Sequence, residues 1–156
     1  MSDRTTELET LCKSCGFCCD GTLFKRALLR PEELEPARRA GLRVIQDKGF
    51  EQPCPKLVDK ACGIYAERPS VCRSFECQLL VRHREEGGPM EARLASIERV
   101  RELLVTLKRH GLKRSADGSE VTFEAEGADA FEAMEAFGEL MERLQQDFSR
   151  AGARGP

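Results

Sequence analysis

Eight cysteines confined to residues 12–77 constrain this chain more than any other feature: Cys12, Cys15, Cys18, Cys19, Cys54, Cys62, Cys72 and Cys77, with none after them. At about 5% of the residues they fall below the roughly 8–10% of a disulfide scaffold. Residues 1–10 are polar and acidic, without the apolar stretch of a secretory signal, which predicts a cytoplasmic chain. In a reducing compartment clustered thiols serve more often as metal ligands or redox groups than as disulfides.

The spacing sharpens this reading. Cys12, Cys15 and Cys18 stand three residues apart, so that one backbone turn can wrap a metal or cluster, and Gly16 lets the chain come close to it. The same interval separates the first three ligands of the bacterial iron-sulfur motif, whose fourth ligand comes from elsewhere in the chain. Cys19 is the awkward member, because consecutive side chains diverge in a strand or helix. Either Cys18 and Cys19 serve two centres or one of them is no ligand. Cys54, Cys62, Cys72 and Cys77 are more widely spaced, as suits ligands brought in from loops. Eight thiols suffice for two four-thiolate centres, or for one centre with a remainder. Arg68 and Arg73 lie between ligands, where a guanidinium offsets thiolate charge or binds an anion. His83 and His110 are nitrogen donors, read here as ordinary surface residues.

The remainder of the chain reads as mainly α. A short helix is expected over residues 5–15, with Leu8, Leu11 or Cys12, and Cys15 on one side, and another starting at Pro31, disturbed by Pro36 and stopped by Gly41. Residues 42–84 are punctuated by Gly49, Pro53, Pro55, Gly63 and Pro69 and read as loops that a metal would staple. From Pro89 to His110, Leu94, Ile97, Val100 or Arg101, Leu104 and Leu107 recur at helical intervals. A second helix carries Ala130, Met134, Phe137, Met141, Leu144 and Phe148 as its core seam. The two helices are expected to pack antiparallel, joined by a short strand over 121–125 that follows a turn at Asp117-Gly118. The organisation is thus a loop-rich cysteine-cluster region over 1–88, a helical hairpin over 89–150 packed on it, and a disordered tail over 151–156.

Composition excludes several function classes. No run approaches the ~18 apolar residues of a membrane-spanning helix. With no Trp and one Tyr, the chain lacks stacking platforms for single-stranded nucleic acid. Residues 1–114 carry 22 basic and 17 acidic side chains and residues 115–156 carry 3 and 10, an asymmetry read here as two ordinary solvated surfaces, the alternative being parts that attract each other or present opposite faces to a protein partner; neither a membrane nor a nucleic acid is expected as partner.

Taken together, Cys12-x-x-Cys15-Gly16-x-Cys18-Cys19 and Cys62-Gly63-Ile64-Tyr65-x-x-Arg68-Pro69-x-x-Cys72-Arg73-x-Phe75-x-Cys77 resemble the CxxCxxCC family, the YkgJ-type cysteine-cluster proteins described as a zinc- or iron-chelating domain. The resemblance covers roughly residues 12–80, includes Cys54, and implies metal binding by all eight cysteines. The family includes the flagellin lysine N-methylase, in which a related cysteine set accompanies methyl transfer and an iron-sulfur cluster is implicated. Outside the cysteines no catalytic motif is recognisable: no Gly-rich loop follows a strand, and Cys-x3-Cys-x2-Cys is absent. Three functions are therefore weighed. The first is an iron-sulfur protein, of 4Fe-4S type, acting in redox chemistry, in electron transfer or as an accessory to a modifying enzyme. The second is a structural zinc module that presents a binding surface. The third, from the resemblance alone, is a methyltransferase-like enzyme.

Overall fold

The computed structural model describes residues 2–115 and 120–150. Within them the chain forms two compact units, one running to Met90 and taking in Arg150, the other Glu91–Ser149. Helices dominate both, with small antiparallel sheets between them.

The first unit opens with α1 (Ser2–Cys15), which buries Leu11 and ends where Gly16 takes a φ of +74°. Three short strands follow, β1 (Arg26–Leu28), β2 (Val44–Ile45) and β3 (Gly49–Glu51), in an antiparallel sheet with β3 in the centre. Gly49 makes this sheet possible: a Cβ there would lie 2.3 Å from the Ala27 carbonyl oxygen on β1. Between β1 and β2 run a single 3-10 turn (Pro31–Glu33) and α2 (Leu34–Arg39). Pro36 falls in the first turn of α2, where its missing N–H leaves no bond unmade. The Glu33 carboxylate accepts hydrogen bonds from the Arg30 amide at 3.0 Å and from the Ser70 amide at 2.7 Å, tying this turn to the next helix. Leu29, Ala37, Leu42 and Phe50 form the core beneath, and Cys54, Ile64 and Cys72 pack against it.

A two-residue hairpin joins β4 (Leu57–Val58) to β5 (Ala61–Cys62), with Asp59 and Lys60 both at positive φ. That backbone matches the twist of the flanking strands. A short turn (Tyr65–Glu67), α3 (Ser70–Ser74) and α4 (Gln78–Glu86) complete the unit. On α4 the buried His83 places Nε2 3.1 Å from the Glu7 carboxylate on α1.

The second unit is built on α5 (Met90–Arg109) and α6 (Gly127–Arg143), with α6 running on into one π turn (Leu144–Phe148). A two-stranded ribbon, β6 (Lys113–Arg114) with β7 (Val121–Thr122), lies between them in sequence. Ile97, Val100, Leu103 and Leu107 are buried on α5. On α6 the buried residues are Ala133, Ala136 and Leu140. Arg99 grips Glu139 with two hydrogen bonds of 2.8 and 2.7 Å, Arg143 adds a third at 2.8 Å, and His110 meets Glu132 at 2.9 Å.

Two expectations change. The region 42–84 holds strands and helices as well as loops. Its strands are too short to show an alternating pattern, and the residues at positive φ, Gln46, Asp47, Asp59 and Lys60, are not the glycines that announce a tight turn. The seam of the second helix holds only in part: Phe148 is buried and Phe137 and Leu144 half-buried, but Met134 is 67% and Met141 45% exposed, while Ala133 and Ala136 turn inward. Beside that face the carboxylates of Glu139 and Glu132 meet Arg99 and His110. The Asp117-Gly118 turn and the tail 151–156 lie outside the described residues.

Two consequences are measurable. Gly49→Ala forces β1 from β3 and should destabilise the fold by about 1–3 kcal/mol, whereas Gly138→Ala, on a helix with nothing within 4 Å of the new Cβ, should stabilise it by about 0.5–1 kcal/mol; urea unfolding of the two variants reads the opposite signs. The second concerns pH. Hydrogen bonds from Arg99 and Arg143 hold the Glu139 carboxyl down at about 2 from an ordinary 4.5. Its contribution is therefore full above pH 4.5 and is lost as pH falls toward 2. At this half-exposed position that is about 1 kcal/mol, and melting curves of Glu139→Gln should show a correspondingly smaller drop over the same interval.

Candidate metal centre

The cysteines reach the first unit's site from six local structures. Cys12 and Cys15 occupy the last turn of α1, one helical step apart and so on one face. Gly16 then reverses the chain: its carbonyl accepts from the amides of Cys19 and Asp20, both at 3.0 Å. A Cβ on Gly16 would lie 3.0 Å from the Lys60 carbonyl oxygen, so the β4–β5 hairpin that carries Cys62 sits directly against the turn. The Cys54 amide donates to the Cys19 carbonyl at 2.7 Å, and the buried Gln52 side chain donates through Nε2 to the Cys18 carbonyl at 3.1 Å. Gln52 Oε1 is buried without a partner. Cys72 lies in α3, and Cys77 is the residue that precedes α4.

The structure brings all eight sulfurs into one electrostatic neighbourhood. Cys19 acts through space on Cys12, Cys54, Cys62 and Cys72; Cys12 and Cys15 act on Cys18, and Cys77 acts on Cys12. All eight are free thiols, seven of them half-buried and Cys77 buried. Cys18 and Cys19 approach to 3.7 Å between sulfurs. This overturns the steric objection to Cys19: the pair lies in the tight turn after Gly16, neither strand nor helix, and there adjacent side chains converge.

Burial sets the protonation. It pushes the thiols of Cys12, Cys54 and Cys62 up, and that of Cys72 up to about 12, with neighbouring thiols adding to it. The contact between Cys18 and Cys19 raises the one thiol and lowers the other. Among the described residues no three of the sulfurs lie within 4.8 Å of one another, but buried soft donors such as Cys12, Cys54, Cys62 and Cys72, which resist ionisation, suit a thiophilic metal or cluster, whose positive charge takes the place of the protons.

His83 does not join the thiols: its Nε2 is committed to Glu7, and it is buried rather than on the surface. His110 lies in the second unit, where it, Asp129 and Glu132 place donor atoms within 4.8 Å of one another. The carboxylates are exposed, and the His110–Glu132 ion pair accounts for the contact. Gln52 is the site residue that sequence reasoning passed over. The only sequence signal pointing to it is its position two residues before Cys54.

Residues 11–98 match the CxxCxxCC profile, described as a candidate zinc- or iron-chelating domain. The chain belongs to the CxxCxxCC family. No curated protein and no solved structure matches it significantly. Among the described residues no helix is long and apolar enough to cross a membrane. Family and geometry together make this a cysteine-ligated metal-binding protein.

The buried Gly16 turn is the point most sensitive to substitution. Gly16→Ala places a side chain in the left-handed region, at about 1–2 kcal/mol, and against the Lys60 carbonyl. The expected outcome is a lower metal content after dialysis against a weak chelator with the second unit still folded, read by elemental analysis beside near-native helical circular dichroism.

Proposed function

We propose that the cysteine centre of this CxxCxxCC protein holds an iron-sulfur cluster, and that the protein serves electron transfer to a protein partner or to a modifying enzyme in the cytoplasm. The observation that carries the reading is the convergence of eight free thiols around the Cys12–Cys15–Cys18 segment, whose spacing is that of iron-sulfur ligands. When bound, such a cluster supplies one-electron chemistry. The chain's own residues supply the thiolates, the Gly16 turn that lets backbone approach, and an apolar floor of Leu29, Leu42 and Phe50 under Cys54 and Cys72. A low-dielectric floor raises the importance of every nearby charge and limits access of water. By the same reading the metal staples the segments that carry Cys54, Cys62, Cys72 and Cys77, whose strands of two or three residues bury little apolar surface of their own.

A second reading, a structural zinc site, is favoured by one specific distance. A zinc ion about 2.3 Å from each of four sulfurs sets edges of ~3.8 Å, and Cys18 and Cys19 already stand 3.7 Å apart. In that case the helices would present a binding surface and no electron would move.

Anaerobic purification followed by analysis for iron, zinc and acid-labile sulfide separates the two. Iron with sulfide in the wild type, and loss of both in Cys15→Ser, is the expected result. Zinc without sulfide, in a colourless preparation, transfers the assignment to the structural site.

A further inference from the structure

Arg68 has a geometry that its position between Cys62 and Cys72 does not by itself require. Pro69 follows it and keeps its backbone extended (φ −56°, ψ 142°). The guanidinium lies over the Tyr65 ring, its carbon 3.6 Å from the ring centroid, and Nε donates to the Tyr65 carbonyl at 2.8 Å. Lys13, one residue after Cys12, also stands over that ring, at 4.4 Å. Arg38, Arg84 and Arg99 all meet carboxylates, whereas Arg68 makes no ion pair with a carboxylate among the described residues. Its positive charge instead favours the ionised form of the thiols of Cys12, Cys19, Cys62 and Cys72, and of the Tyr65 hydroxyl beneath it. Arg73, by contrast, is exposed.

We propose that Arg68, held over the Tyr65 ring, is the built-in counter-ion of the cysteine metal centre, a positioning residue that stabilises the anionic metal-thiolate state. The inference rests on the metal-binding reading and deepens it. The charge balance gives the reason. Four neutral thiols and one divalent ion become a tetrathiolate complex of net charge −2, with four protons released to solvent, so the region changes from uncharged to doubly negative as metal enters. A guanidinium already fixed in place, with no carboxylate to neutralise it, lowers the energy of that product more than that of the empty site. Stacking on Tyr65 and the bond to its carbonyl fix the position before metal arrives, so little ordering is needed when it does. An iron-sulfur cluster on thiolates also carries net negative charge, and the same argument applies to it.

The test uses the full chain, stripped of metal and titrated anaerobically with Co2+, whose thiolate charge-transfer absorption reports sulfur ligation. Arg68→Gln should weaken Co2+ binding about tenfold, the size expected for one charge-assisted contact. Arg68→Lys, which keeps charge but not the planar stack, should recover part of that loss. Tyr65→Phe should bind as wild type, since ring face and backbone carbonyl remain, and Tyr65→Leu should weaken binding in the same direction as Arg68→Gln. Arg73→Gln serves as the surface-charge control and should be unchanged. The proposal is overturned if Arg68→Gln binds Co2+ as wild type does, if Arg68→Lys is no better than Arg68→Gln, or if Arg73→Gln loses as much. Should Arg68→Gln lose its helical circular dichroism, the comparison of Tyr65→Phe with Tyr65→Leu decides, equal affinities counting against the clamp. A wild-type chain without any thiolate-cobalt absorption would instead remove the metal-binding reading itself.

Discussion

Gathering eight thiols into one half-buried region sets the terms for the whole first unit. A buried thiol is comfortable as a small apolar group, and as thiols these eight could simply fill space. As thiolates they would repel one another in a medium that solvates them poorly. Burial and mutual repulsion therefore act in the same direction on Cys12, Cys54, Cys62 and Cys72, and only a bound cationic group relieves both. The architecture around them follows from the need to deliver eight side chains to one place. A helix end supplies two, a turn two, a loop one, a hairpin one, a short helix one and a helix start one.

Backbone geometry does most of this delivery. Gly16 and the Asp59–Lys60 turn are held against each other by a contact that leaves no room for a side chain at residue 16. The Cys54 amide closes on the Cys19 carbonyl, so the second group of cysteines is fixed to the first by main chain rather than by side-chain packing. The cluster beneath, built on Leu29, Ala37, Leu42 and Phe50, is modest. It gives the site a floor and leaves its upper part to sulfur chemistry.

Much of this was legible in the sequence. The cysteine spacing, the helix ending at Cys15 and the long helix over residues 90–109 all rest on patterns several turns or several ligands long. What stayed hidden has physical causes. Strands of two residues carry no periodicity, and the turns that make them use Asp and Lys at positive φ, where glycine or asparagine would have been conspicuous. The inward face of α6 was misjudged because size was taken as the guide to burial. Ala133 and Ala136 lie inside and Met134 outside, while Glu139 meets Arg99 of α5. Gln52 was invisible because an amide that braces a main-chain carbonyl carries no motif.

The two units thus hold themselves together by different means. In Glu91–Ser149 an apolar stripe on α5, small residues on α6 and a three-membered ion-pair group around Glu139 suffice, and none of these depends on anything outside the chain. In the cysteine unit the strands are short and the core small, and the most numerous buried reactive groups are ones that water cannot ionise cheaply. A chain so arranged ties the order of its cysteine unit to the supply of whatever occupies it, because ligand binding there is folding free energy. Arg68 fits the same logic from the opposite sign of charge: a cation set in place without a carboxylate is the complement of a site that becomes anionic only when it is filled.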